Sequence, residues 1–119
     1  MMIQFMLQRF LMKKILLFML LLSLSLFAQK NKPNVDCLIL EDENSIICKY
    51  ILSRETADKN ITFEWIDPEG NVSRTKDVVV LSNHGSAYDF RYINGRQKGI
   101  WTFKVIDNNQ TYKTEFEIK

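Results

Sequence analysis

Beyond residue 28 the chain alternates apolar and polar side chains with a period of two, in run after run. Successive residues of a strand point to opposite faces, so this pattern marks half-buried β-strands. Ile61, Phe63 and Trp65 share one face, with Thr62 and Glu64 between them. Tyr88, Phe90 and Tyr92 alternate with Asp89 and Arg91, and Trp101, Phe103 and Val105 with Thr102 and Lys104. Tyr112, Phe116 and Ile118 face away from Lys113, Glu115 and Glu117. A further strand covers residues 72–81, where Val78-Val79-Val80 predicts burial on both faces. No stretch after residue 28 carries the 3.6-residue period of a helix.

Turn chemistry separates the runs. In Asp67-Pro68-Glu69-Gly70-Asn71, proline presets φ while Gly and Asn tolerate positive φ. Asp107-Asn108-Asn109-Gln110 turns the chain again. The runs at 35–40 and 45–52 flank Glu41-Asp42-Glu43-Asn44. Pairing Leu40 with Ser45 sets Ile39 opposite Ile46, Cys37 opposite Cys48 and Val35 opposite Tyr50. One register aligns the cysteines and the apolar residues together, which predicts a Cys37–Cys48 cross-strand disulfide. The resulting seven strands predict an all-β fold, a seven-stranded antiparallel sandwich with Trp65 and Trp101 anchoring its core.

The first 28 residues have a different character. Met12-Lys13-Lys14 is a short basic region, residues 15–27 form an apolar run, and Ala28 is a small residue before Gln29. This is the composition of a secretory signal peptide, with Met12 an alternative start. Leu26 is larger than the usual residue two before the cut, and the competing reading is an uncleaved anchor. The run of 13 residues is short for a bilayer span. No cysteine follows it directly, which argues against a lipid anchor.

Removing residues 1–28 takes away Arg9, Lys13, Lys14 and all five methionines. The remaining 13 basic and 14 acidic residues give a net charge of −1, against +2 for the whole chain. The basic excess belongs to the leader, so it does not point to nucleic acid. A methionine-rich copper site is likewise excluded. Residues 29–119 make one small domain, for which a disulfide formed in an oxidising compartment is a useful staple. The expected location is periplasmic or secreted, with no membrane association after cleavage.

Gly99-Ile100-Trp101-Thr102-Phe103-Lys104-Val105, followed by a strand ending Phe116-Glu117-Ile118, resembles the last hairpin of bacterial immunoglobulin-like and macroglobulin-like domains. Phe63-Glu64-Trp65-Ile66-Asp67-Pro68-Glu69-Gly70 extends the resemblance over most of the chain after the leader. It implies an exported immunoglobulin-like sandwich and carries no catalytic motif. The distant cysteine pair of antibody-type domains is missing, since Cys37 and Cys48 stand only 11 positions apart.

Candidate chemistry is sparse. Ser82-Asn83-His84-Gly85-Ser86 brings the single histidine near hydroxyls, but no G-x-S-x-G elbow exposes a nucleophile. The run is rich in Ser, Asn and Gly, and a surface loop explains it. Arg91, Tyr92, Arg96 and Lys98 gather around Asn94-Gly95 and, with His84, form a candidate patch for an acidic group. The plainer alternative is a set of solvated cations, with Arg91 paired to Asp89 or to a carboxylate on a neighbouring strand. Asn60, Asn71 and Asn109 head N-x-S/T triplets, each with an acid two residues earlier: Asp58, Glu69 and Asp107. This resembles the extended sequon of bacterial oligosaccharyltransferases and makes the three asparagines candidate glycan acceptors. The acidic turn at 41–44 lacks the spaced ligands of a calcium loop.

No catalytic residue, metal or cofactor is expected. The expected function is an exported, non-enzymatic binding module for a protein or glycan, acting through a sheet edge or the Arg91/Tyr92/Arg96 region. Two alternatives stand beside it: an accessory domain of an envelope complex, and a small hydrolase or enzyme inhibitor. An enzyme would require His84.

Overall fold

Each alternating run becomes a strand in the computed structural model, which describes residues 32–119. The strands are β1 (Asn34–Leu40), β2 (Ser45–Ile51), β3 (Lys59–Ile66), β4 (Val72–Val80), β5 (Ser86–Tyr92), β6 (Gly99–Asp107) and β7 (Gln110–Ile118). The expected signal segment lies outside the described residues. Among those described there is no α-helix, only a single 3-10 turn at Glu41–Glu43.

The strands form two antiparallel sheets, ordered β1-β2-β5 and β4-β3-β6-β7. The chain crosses between sheets from β2 to β3, from β4 to β5 and from β5 to β6, the mark of a two-layer, sandwich-like fold. The β1–β2 register is the expected one: Leu40 faces Ser45, Ile39 faces Ile46, Cys37 faces Cys48 and Val35 faces Tyr50. Asn44 closes this hairpin in the left-handed region, at φ 54°. The Cys37–Cys48 disulfide is present.

The 67–71 turn is held by Asp67. Its Oδ1 accepts the backbone N–H groups of Glu69 at 3.0 Å and Asn71 at 2.9 Å. Gly70 supplies the positive φ, 88°, that this turn needs.

The inner faces supply the core. Ile46, Cys48 and Tyr50 come from β2, Ile61, Phe63 and Trp65 from β3, and Trp101, Phe103 and Val105 from β6. Both tryptophans are buried, as expected. Phe103 is central: its ring lies 5.0 Å from Phe63 and 5.2 Å edge-on to Trp65. Full burial of each such side chain contributes on the order of 1.5–3 kcal/mol.

Two strands depart from simple patterning. On β4, Val80 is buried but Val79 is 55% exposed, so the three valines are not covered on both faces. The reason is the two-layer build: the three-stranded sheet faces only the inner side of the sheet that holds β4, and the outer side meets solvent. On β5 the polarity is inverted. Asp89 and Arg91 point inward and are buried, while Tyr88, Phe90 and Tyr92 point outward and are exposed.

Candidate functional site

The inversion of β5 follows from its register with β2. Cys48 faces the interior, and Asp89 lies directly opposite it, so Asp89 must face the interior too. Ala87 and Arg91 share that face.

An ionised carboxylate inside a sandwich needs donors. Asp89 Oδ2 accepts the indole N–H of Trp65 at 2.9 Å, and Oδ1 accepts the backbone N–H of Phe90 at 3.0 Å. Two cations approach from β4: Lys76 Nζ lies 3.3 Å from Oδ1 and Arg74 Nε 3.6 Å from Oδ2. Their side chains remain 43% and 38% exposed. Arg91 stacks over Trp65, its guanidinium carbon 5.4 Å from the ring centroid. Its Nη1 donates to Ser73 Oγ at 3.1 Å, while Nε is buried without a hydrogen-bond partner among the described residues. Burial first, then repulsion from Arg96 and Arg74, pushes the Arg91 pKa down. This seam between β4 and β5 holds three cations around one carboxylate.

A second buried acid closes the core elsewhere. Asp107 Oδ2 accepts the Tyr50 hydroxyl at 2.7 Å, and Lys59 Nζ lies 3.0 Å from Oδ1. Burial, then the bond to Asp107, raises the Tyr50 pKa well above the ordinary tyrosine value. The hydrogen bond to Asp107 raises that of Lys59.

Outside the first sheet lies an aromatic face. Leu38, Ile47 and Phe90 are successive partners across β1, β2 and β5. Tyr88 and Tyr92 flank Phe90 on the same strand face, and the Phe90 and Tyr92 rings meet edge-on at 6.0 Å. Leu38, Tyr88, Phe90 and Tyr92 are 60%, 65%, 48% and 59% exposed.

The edges of this sheet are partly occupied by their own side chains. Asp36 Oδ1 accepts the Cys37 N–H at 2.9 Å on β1, as Asp89 does for Phe90 on β5. A donor already engaged is a poorer template for strand addition.

The residues of the expected patch are divided. Arg91 faces the interior and Tyr92 the outer side of the same strand. Arg96 follows the turn after β5, where its Nε donates to the Tyr92 carbonyl at 3.3 Å and its backbone N–H to the Ile93 carbonyl at 3.1 Å. Lys98 is exposed beyond that turn. His84 precedes β5, at the opposite end of a seven-residue strand about 20 Å long. Its Nδ1 lies 3.0 Å from the Ser82 carbonyl within its own turn.

Sequence reasoning missed Arg74, Lys76, Ser73 and the inward role of Asp89. The signal was available in the hairpin around 67–71, which pairs Trp65 with Arg74 and Phe63 with Lys76.

The candidate glycan acceptors Asn60, Asn71 and Asn109 are all exposed. Their preceding acids differ: Asp107 is buried, Asp58 accepts the Ser82 backbone N–H at 2.8 Å, and Glu69 is exposed. The acidic turn borders an open hollow of about 520 Å³ lined by Glu41, Asp42, Glu43, Glu117 and Lys119. Among the described residues no group of three His, Cys, Asp or Glu side chains is arranged to hold a metal ion. Nor is any helix among them long and apolar enough to cross a membrane.

No protein-family model matches the chain, and the curated proteins compared with it yield no match.

Proposed function

We propose that this chain is an exported, non-enzymatic interaction module of immunoglobulin-like topology that holds a protein partner on the outer face of β1-β2-β5. The strand order supports the topology: β1-β2-β5 beside β4-β3-β6-β7 follows the arrangement of A-B-E against C′-C-F-G in such domains. Export is supported by the disulfide, which persists in oxidising compartments, and by the leader-like composition of residues 1–28.

The observation that carries the reading is the inverted β5. A strand selected only for folding would turn Tyr88, Phe90 and Tyr92 inward and the acid and arginine outward. Exposed aromatics beside aliphatic Leu38 and the half-buried Ile47 have the composition of an interface centre, where tyrosine is a favoured anchor. The aliphatic component favours a protein partner over a glycan. His84, the residue an enzyme would require, is in an exposed turn with its ring nitrogen on a backbone carbonyl.

The test is capture from envelope extract of the native host by immobilised protein produced from the full chain, beside a Tyr88→Ser/Phe90→Ser variant. A partner retained by the wild type and lost by the variant is expected. No partner, or one retained equally by both, overturns the assignment of this face. Migration of the protein with a large envelope complex in both forms favours the accessory-domain alternative.

A further inference from the structure

We propose that the seam between β4 and β5 is a binding site for a doubly charged oxyanion, sulfate or phosphate, held by Arg74, Lys76 and Arg91. This site is separate from the aromatic face of the first sheet and goes beyond the function proposed above.

Charge is the first argument. Arg74, Lys76 and Arg91 carry three positive charges around the single carboxylate of Asp89, which leaves an excess of two. A dianion neutralises that excess. Arg96 adds further positive potential at Arg91.

Donor capacity is the second. The short bonds to Asp89 come from Trp65 and Phe90, at 2.9 and 3.0 Å. Lys76 and Arg74 stand farther off, at 3.3 and 3.6 Å, beyond the roughly 2.7–2.9 Å of a tight charge-assisted bond. Guanidinium and ammonium groups carry five and three donors respectively. Neither cation is saturated by one distant carboxylate.

Arg91 supplies the third. It is 8% exposed, and among the described residues it donates a hydrogen bond to an uncharged hydroxyl while its Nε has no partner. Buried charges are normally paired, because desolvation is not recovered otherwise. An oxyanion beside Arg91 provides that pairing.

Access is the fourth. β4 and β5 are edge strands of different sheets and do not pair with each other. The side chains of Arg74 and Lys76 are partly exposed along that open side, so an anion reaches these two cations without displacing core residues.

Trp65 makes the site observable. Its indole N–H is bonded to Asp89 beneath Arg91, whereas the Trp101 indole donates to the Gln97 carbonyl at 2.7 Å, outside the seam. Protein from the full chain, labelled with nitrogen-15, is titrated with sodium sulfate and with sodium phosphate, against sodium chloride at matched ionic strength. The expected result is a saturable shift of the Trp65 indole resonance in sulfate, phosphate or both, with Trp101 unmoved. Arg74→Gln and Lys76→Gln should each weaken the response about tenfold, the loss of one charge-assisted bond. The unmoved Trp101 signal reports that each variant is folded. A Trp65 response no greater than in chloride, or one unchanged in both variants, overturns the proposal. Tyr88→Ser/Phe90→Ser should leave the titration intact, so this test fails or succeeds independently of the partner-binding face.

Discussion

Asp89 and Trp65 meet across the interior of the sandwich, the carboxylate Oδ2 accepting the indole N–H at 2.9 Å. The contact joins the edge strand of one sheet to an inner strand of the other. It gives a core tryptophan a partner for its one polar atom. It also commits β5 to its inverted orientation, which places Tyr88, Phe90 and Tyr92 in solvent.

Asp89→Ala should therefore cost about 1–3 kcal/mol, because it leaves the buried Trp65 indole N–H without an acceptor and removes the carboxylate facing Arg74 and Lys76. Asp89→Asn, which retains an acceptor oxygen, should cost less. Urea unfolding of the two variants beside the wild type measures the order. A stability of Asp89→Ala equal to that of the wild type would show that the Asp89–Trp65 contact contributes nothing.

Tyr50 and Lys59 predict a fold that weakens in alkali. Both pKa values are raised in the folded state, Tyr50 by burial and then Asp107, and Lys59 chiefly by its hydrogen bond to Asp107. A raised pKa means that the unfolded chain releases its proton first. The stabilisation is thus complete below the unfolded values, near pH 10, and is lost as pH rises above them. The melting temperature should fall steeply beyond about pH 10. Tyr50→Phe should have a shallower decline, since its unfolded state has no phenol to ionise. Parallel profiles for the two proteins would contradict this linkage.

The Cys37–Cys48 bridge closes a loop of 11 positions between directly paired residues. Cys37→Ser/Cys48→Ser should lower stability by roughly 3 kcal/mol through the freedom it restores to the unfolded chain. Denaturant midpoints with and without reductant provide the measurement, and the wild type should move toward the variant when reduced. Identical midpoints would show that the bridge contributes nothing.

Glycan attachment, if the native host carries it out, should be confined to Asn71. There the asparagine and its preceding acid, Glu69, are exposed, and Glu69 is met at 3.4 Å by the exposed Gln97 side chain rather than by the backbone or the core. Asp107 is engaged by Tyr50 and Lys59, and Asp58 by the Ser82 backbone. Intact mass of protein from the native host should exceed the bare chain by one glycan, and Asn71→Gln should abolish the difference. A bare mass in the wild type rules the modification out.

Strand positions were legible in the sequence because alternation and turn chemistry are local. The β1–β2 register was legible as well, since one pairing aligned Cys37 with Cys48 and Ile39 with Ile46. The candidate site was only partly legible. Arg91 and Arg96 were identified beside a turn, but Tyr92 and Arg91 point to opposite sides of β5, and His84 lies at its other end. The only local sign of a role for Arg74 and Lys76 was the 67–71 hairpin, which sets them opposite the core residues Trp65 and Phe63. Their importance comes from an acid 15 and 13 positions away along the chain.

The sequence by itself determined the strands, their turns, the cysteine pairing and the charge left once residues 1–28 are set aside. These depend on residues close along the chain or on counts. Only the tertiary structure decided which face of β5 is inside and that β4 is an edge with Val79 exposed. It alone brought Arg74, Lys76 and Arg91 around Asp89. A period of two separates the faces of a strand without saying which one the neighbouring sheet covers. For β5 that choice was made by pairing with β2 and by the donors that Trp65 and β4 offer across the gap.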